Sequence, residues 1–377
     1  GRHAYASTLR NRNAYLNFFW LNYYKIKYFY EAGLIIESSI NLLDKSDALY
    51  VDHGVYLNGL IIQVFANNKK IIYQNVYPRG LSFKDLRKNK SKYILSYEDI
   101  LLLRKKEIKL NKIIKQKSKN KLKQILKKPH TIPWIKGIKF SGIKYKNLKS
   151  ITHVVYAHSF ADGQLVWGID DFTNMREWLL FTLDNLDKNE NKILVKAHPN
   201  FTIRGYFNDA CKLDREIFFQ IKDKFKNSKN IIFETKPTRN LELLKKLNKK
   251  TILVSHHGSA ILEGSYLNFK TISSEATFWE NKFKITNSWK NKFYYSGLLK
   301  NNWENLSYRN YNDLLTVSYL LYCNDFGHYG KKFWHQVISD VEKITRKKLD
   351  KNIDKHINNV KNKNNLITAL SQNIQKI

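Results

Sequence analysis

The sequence predicts an α/β fold, because short strands of buried type alternate with helices through its second half. Three apolar runs, at residues 151–156, 192–196 and 251–254, have the composition of strands that are covered on both faces. Each run leads into a polar turn and then into a segment with apolar residues at helical spacing. This repeated order is typical of a parallel sheet with helices on both faces.

The length of the chain and the positions of its prolines and glycines predict two domains and a tail. Its 377 residues have room for two domains of ordinary size. We place the boundary in residues 129–149, where prolines and glycines interrupt the pattern. The expected domains are 1–145 and 150–330, followed by a helical tail over 331–377.

Each domain has its own predicted elements. The first begins with an aromatic-rich helical segment up to residue 45, followed by a strand at Ala48–Val51, a helix at 57–66 and a strand at 70–73. In the second domain, further strands are predicted at 230–233 and 270–273, and helices at 172–186, 207–225, 241–247, 260–267 and Tyr311–Tyr322.

The composition favours a partner that carries negative charge. The formal net charge is +34, which attracts nucleotides, acidic lipids or nucleic acids. Two cysteines form no disulfide framework, which predicts a reducing compartment. No apolar run has the length of a bilayer span, and no signal-peptide pattern opens the sequence. We therefore expect a cytoplasmic protein.

The segment 104–128 is the densest basic run, with twelve basic residues and one glutamate. Isoleucines and leucines give it a broken apolar stripe, so it is predicted to be a basic amphipathic helix. Such a helix often lies on an anionic membrane surface, which would make the protein peripheral on the inner membrane. A solvated helix packed on the domain, or a mobile basic linker, explains the pattern equally well.

The turn after the strand at 251–254 is the strongest candidate for a nucleotide pocket. Its residues are Ser255, His256, His257, Gly258 and Ser259, and a helix follows at once. Backbone N–H groups at a helix start suit a phosphate, and Glu263, one helical turn further on, suits ribose hydroxyls. The alternative is a simple helix cap beside core histidines.

Two other turns carry polar groups of the same kind. His158 and Asp162 follow the strand at 151–156, whereas Lys196 and His198 end the strand at 192–196. Pro199 holds His198 in an extended conformation. Because the carboxyl ends of parallel strands meet at one edge of a sheet, the three turns are expected to form one site. Independent helix capping is the alternative for each turn alone.

In the first domain, Asp52 and His53 follow the strand at Ala48–Val51, and Gly54 permits a sharp turn beside them. A carboxylate next to an imidazole can serve as a general base. A capping aspartate beside a surface histidine is the alternative. A metal site is not expected, since the sequence has no HxxxH pair and no CxxC.

The motifs AHSFADG, LVKAHPN and SHHGSAILEGSYLNFKTI, in this order and spacing, resemble bacterial capsule and surface-polysaccharide biosynthesis proteins. They are similar to the C-terminal halves of GT-B glycosyltransferases, including the Kdo and sialic-acid transferases that use CMP-sugars. The resemblance covers residues 150–325 well and 45–80 loosely. It implies two Rossmann-like domains that face a central cleft. The doubled His256-His257 departs from many relatives, which carry Ser or Asn there.

The resemblance also implies roles for individual residues. His198-Pro199 and Gly258-Ser259 would bind the phosphate of a nucleotide-sugar donor, and Glu263 would lie near its ribose. The acceptor would be a glycan or a lipid-linked glycan, deprotonated by Asp52 or His53. His198 and the helix start at Ser259 would stabilise the departing phosphate. GT-B enzymes need no bound metal, so no cofactor is expected.

Two other functions fit parts of the pattern. A transferase of glycerol phosphate from a CDP carrier would use similar motifs. A nucleic-acid-binding protein would use the positive charge and the aromatic residues. However, the aromatic residues lie within apolar periodic segments and are predicted to be core, and the basic residues form only one dense run.

Overall fold

The computed structural model separates the chain into two compact units. Residues 1–35, 55–60 and 94–323 form the first unit, and residues 36–54, 61–93 and 324–377 form the second. The structure describes residues 2–10, 18–43, 45, 48–51, 57, 60–61, 64–65, 68, 71–76, 80–84, 112–128, 140–143, 145, 147–161, 170–189, 191–202, 208–277 and 283–322.

The second unit contains a three-stranded sheet. Its strands are β1 (Ala48–Val51), β2 (Ile71–Val76) and β3 (Gly80–Lys84), in that spatial order. β1 and β2 are parallel, whereas β2 and β3 are antiparallel. Both strands predicted in this region are confirmed, and β3 is additional. Of the predicted helix at 57–66, the structure describes residues 57, 60, 61, 64 and 65, and the last four are helical. The predicted tail over 331–377 lies outside the described residues.

The first unit is built on a six-stranded sheet whose strands are all parallel. Its strands are β4 (His153–Tyr156), β5 (Ile193–Lys196), β6 (Ile231–Glu234), β7 (Ile252–Ser255), β8 (Thr271–Ser274) and β9 (Asn287–Trp289). Their spatial order is β6-β5-β4-β7-β8-β9. Counted from β4, this is the order 3-2-1-4-5-6 of the Rossmann fold. The predicted α/β class is therefore confirmed, with Rossmann topology in this unit.

In the second half of the chain, the described helices begin and end within three residues of the predicted segments. In chain order they are α1 (Arg2–Thr8), α2 (Phe18–Leu43), α3 (Lys112–Lys127), α4 (Met175–Lys188), α5 (Asn208–Lys224), α6 (Asn240–Lys246), α7 (Ser259–Tyr266), α8 (Lys292–Lys300) and α9 (Tyr311–Tyr322). The short elements β9 and α8 are additional to the prediction.

Two apolar layers cover the six-stranded sheet, one on each face. Val155 points to the side where α4, α5 and α8 pack, and the large rings of Trp178, Trp289 and Tyr295 fill this layer. Val154, its neighbour in β4, points to the opposite layer with α6 and α7. Alternating strand residues thus serve opposite cores, which explains why the central strands β4, β5 and β7 are largely apolar along their length.

The basic helix α3 packs on α9. Ser118, Leu122, Ile125 and Leu126 are buried, and the Ser118 hydroxyl donates to the Leu315 carbonyl at 2.9 Å. The apolar stripe predicted in segment 104–128 thus contributes to the core, while most lysines of the helix stay accessible. Residues 104–111 lie outside the described residues. None of the described helices is both long and apolar enough to cross a membrane.

Candidate functional site

The sequence-predicted turns meet at the carboxyl edge of the six-stranded sheet. Strand order reverses between β4 and β7, and the carboxyl ends of the strands at such a switch point form the usual ligand crevice of open α/β sheets. Tyr156 at the end of β4 pairs with Lys196 of β5 on one side and with Ser255 of β7 on the other. The residues that follow these three strands therefore emerge side by side.

Three histidines from three adjacent strands form a ring cluster at this edge. The ring of His158 lies 3.8 Å from that of His257 and 5.3 Å from that of His198, measured between centroids. His158 and His198 are partly exposed, whereas His257 is buried. A ligand at the sheet edge can therefore touch His158 and His198 directly. The predicted convergence of the three turns is found for these residues.

His256 and His257 belong to a buried hydrogen-bonded chain that begins at Asp170. Asp170 Oδ2 lies 2.7 Å from His256 Nε2, and the two Nδ1 atoms of His256 and His257 are 2.9 Å apart. A carboxylate only accepts, so His256 Nε2–H is the donor to Asp170. Of the two Nδ1 atoms, one donates and the other accepts in the hydrogen bond between the rings. The doubled histidine thus fixes the orientation of both rings.

Desolvation and neighbouring charge keep two histidines of the cluster, His198 and His257, neutral. Desolvation, followed by His158 and Lys196, lowers the pKa of His198 to about 3. Desolvation also lowers the pKa of His257 well below its ordinary value. Burial alone would raise the pKa of Asp170, but the contacts with His256, Phe172 and Ser274 together outweigh burial and keep this pKa low. His198 therefore offers a hydrogen bond rather than positive charge to a ligand.

The start of α7 is the best anion site among the described residues of this edge. Gly258 precedes the helix with φ +126°, a conformation that residues with a side chain rarely adopt. No side chain caps this helix start. The first N–H groups of a helix have no partner within it, so those near Ser259 are available to a phosphate.

Lys196 and Glu263 lie in a buried polar network on the α6–α7 side. Lys196 Nζ donates to the Thr238 carbonyl at 2.8 Å, and Glu263 Oε2 accepts from Asn240 Nδ2 at 2.7 Å. Burial raises the pKa of Glu263 and lowers that of Lys196 to about 8, although Glu263 and Glu234 oppose the latter shift. Lys196 and Glu263, which were predicted to contact the nucleotide, are thus hydrogen-bonded to other groups of the protein. Lys196 contributes positive charge to the site from its buried position.

Asp170 and Asp214 are site residues that the sequence patterns did not single out. Asp214, on α5, accepts from the Ser159 hydroxyl at 2.8 Å and from the N–H groups of Phe160 and Ala161 at 2.6 and 2.9 Å. It therefore anchors the turn that carries His158. The only signal for Asp170 was its position shortly before the helix cap at Asn174.

Three predicted site residues, Asp52, His53 and Asp162, lie outside the described residues, so their roles stay predictions. Within the described ranges, no group of three or more histidines, cysteines or carboxylates is arranged to hold a metal ion.

Comparisons with known proteins give only distant structural likenesses. No protein-family model matches the chain, and no curated protein sequence matches it. A solved structure of Thermosulfurimonas dismutans KpsC, a beta Kdo 2,4 transferase, is 14% identical, with a TM-score of 0.45 and coverage of 73% of this chain and 79% of that one. Methanocaldococcus jannaschii UDP-GlcNAc 2-epimerase, in complex with UDP-GlcNAc and UDP, is 15% identical, with a TM-score of 0.34 and coverage of 77% and 80%. Likeness at this level carries no conclusion about the reaction, so function must be argued from the site itself.

Proposed function

We propose that this protein is a glycosyltransferase that moves a sugar from a nucleotide-activated donor to a growing surface glycan. One observation carries the proposal: a phosphate-suited helix start and two accessible histidines, His158 and His198, meet at the switch point of a Rossmann sheet. This is the crevice in which such sheets bind nucleotides. The capsule-type motifs of the sequence support two further parts of the proposal, which are a CMP-linked sugar as the donor and a GT-B arrangement of two domains.

In this proposal the nucleotide phosphate lies against the N–H groups at Ser259, within reach of His198. The bond between the sugar and the phosphate breaks, and negative charge develops on the phosphate oxygen. A helix start and an N–H of neutral His198 stabilise that charge by hydrogen bonds. Lys196, buried beneath the strand end, adds positive charge without contacting the ligand.

The acceptor is a glycan, free or lipid-linked, whose hydroxyl must lose a proton during transfer. Asp52 and His53 remain the proposed bases, since they form the adjacent carboxylate and imidazole after β1. No metal or other cofactor has a part in the proposed reaction.

A nucleotide titration tests the proposal. We expect CMP or another nucleotide to raise the melting temperature, and Ser259→Ala combined with His198→Ala to weaken binding at least about tenfold, or about 1.4 kcal/mol. Ser150→Ala is the matched control, because this exposed serine precedes β4 at the opposite edge of the sheet. The control should bind nucleotide like the wild type.

Several outcomes would count against the assignment. An unchanged nucleotide affinity in the double variant would rule out Ser259 and His198 as the phosphate site. Stabilisation by a short oligonucleotide but by none of CMP, CDP, UDP and GDP would favour a nucleic-acid-binding protein. Turnover of CDP-glycerol, without turnover of a CMP-sugar, would favour the glycerophosphotransferase.

A further inference from the structure

The helix α2 presents an apolar stripe to solvent along its first four turns. Phe19, Tyr23, Ile26, Tyr30 and Leu34 recur at spacings of three and four residues, so they share one helix face. Their side chains are between 44% and 72% exposed. We call these five residues the aromatic stripe.

Contacts on the other side of α2 fix this orientation. Ala32 is buried with Ala4 of α1 and Leu60, and Tyr28 and Ile35 pack against the same small cluster. The helix therefore already has a packed face, and rotating the aromatic stripe inward would expose these residues instead. Next to the stripe, the ring of Trp20 contacts the rings of Phe19 and Tyr23 edge-on, with both centroid distances 5.6 Å. The result is a continuous ring surface.

Charge and composition identify the occupant of this surface. Tyrosine and tryptophan are enriched at the level of lipid headgroups, because each ring has an apolar body and a polar end. The chain as a whole carries a net charge of +34, whereas on α2 itself Lys25 and Lys27 are balanced by Glu31 and Glu37, and Lys27 forms an ion pair with Glu31. A second copy of the chain would bring the same positive charge and be repelled, whereas an anionic bilayer would be attracted.

We propose that the aromatic stripe of α2 docks this protein on an anionic membrane surface, with the side chains inserted among the lipid headgroups. This assigns the main apolar contact to α2 and not to the basic helix α3, whose Leu122, Ile125 and Leu126 are buried in the protein and whose Ile113 is exposed but isolated. The accessible lysines of α3 can add electrostatic attraction only. The proposal stands independently of the reaction.

Vesicle co-sedimentation of the full chain tests this proposal. We expect binding to vesicles of phosphatidylglycerol and phosphatidylethanolamine, and little binding to pure phosphatidylcholine. Ile26→Ser combined with Tyr30→Ser should weaken binding about tenfold, because it removes exposed apolar area without touching the packed face. The matched control is Phe293→Ser with Tyr294→Ser, since these α8 side chains are also exposed, at 90% and 49%, outside the stripe. It should stay within about twofold of the wild type.

Three results would overturn the proposal. The first is wild-type binding that fails to distinguish the two kinds of vesicle. The second is equal loss of binding in the stripe variant and the control. The third is a lipid-free dimer, seen by sedimentation velocity, that the stripe variant dissociates, because the stripe would then be an interface between copies.

Discussion

At the scale of single residues, the site depends on carboxylates that act through other groups. Asp170 accepts from His256, from the Ser274 hydroxyl at 2.9 Å and from the Phe172 N–H at 3.0 Å. It therefore ties the loop before α4 to the ends of β7 and β8. The rings of His256 and His257 keep their orientation because this buried carboxylate accepts a hydrogen bond from His256, which is in turn hydrogen-bonded to His257.

Asp170→Asn is expected to lower the free energy of unfolding by about 1–3 kcal/mol, because a buried acceptor-only group becomes an amide that mismatches its donors. The change should also alter the tautomer of His256, which ¹⁵N chemical shifts of the ring report. Asp171→Asn is the matched control, since this neighbouring carboxylate is exposed. Equal stability and unchanged ring shifts in the two variants would exclude a positioning role for Asp170.

The sequence could predict the histidine turns but not their anchors. His158, His198 and His257 each follow an apolar run directly, so local pattern is enough to place them at strand ends. Asp170 and His256 are 86 positions apart, and Asp214 is 55 positions from Ser159. Such contacts depend on how the sheet is assembled, which a single sequence does not contain.

At the scale of elements, close approach of α7 to β7 depends on a glycine. A Cβ at Gly264 would lie 2.2 Å from Leu253 Cδ1, so any larger residue must displace the buried leucine. Helix α7 carries the proposed phosphate site at its other end. A shift of this helix would therefore disturb both the core and the site.

Gly264→Ala is expected to destabilise the protein by about 1–3 kcal/mol through overpacking. Gly297→Ala is the matched control, because Gly297 lies within helix α8 and nothing lies within 4 Å of its Cβ position. The control should be neutral or stabilise by up to about 1 kcal/mol, since alanine favours helix. Chemical denaturation measures the free energy of unfolding of both variants. Equal values would contradict the close approach of α7 to β7 at Gly264.

Elements with a strong apolar pattern were predictable, whereas β9, which has none, was not. Helices α4, α5 and α9 carry apolar residues over three or more turns, and their predicted positions are confirmed. β9 has only three residues, Asn287–Trp289, of which two are polar. Its place in the sheet follows from pairing with β8, so local composition gave no strand signal.

At the scale of the whole molecule, histidines whose pKa is lowered by desolvation make stability depend on acidity. Desolvation lowers the pKa of His153 to about 4 and, with His158 and Lys196, that of His198 to about 3. The unfolded chain titrates near its ordinary value of 6.5, so below that pH it binds more protons than the folded chain. The free energy of unfolding therefore falls as pH drops from 6.5 toward 4.

Denaturation between pH 7.5 and pH 5 checks this dependence. His153 alone should account for a loss of about 2 kcal/mol by pH 5. In His153→Gln, the free energy of unfolding should fall by that much less between pH 7.5 and pH 5. His153 lies at the amino end of β4, so this substitution leaves the site at the carboxyl end unchanged. A variant curve parallel to that of the wild type would show that His153 is not the titrating group.

The anchoring of the turn after β4 by Asp214 has a consequence for binding kinetics. Two backbone amides and one hydroxyl of residues 159–161 are held by this carboxylate. Protein contacts therefore hold the residues on both sides of His158, in β4 and at 159–161, and this preorganisation limits the entropy lost on binding. Stopped-flow association at this edge should then follow a single phase whose rate rises linearly with nucleotide concentration, without the plateau that a slow rearrangement imposes.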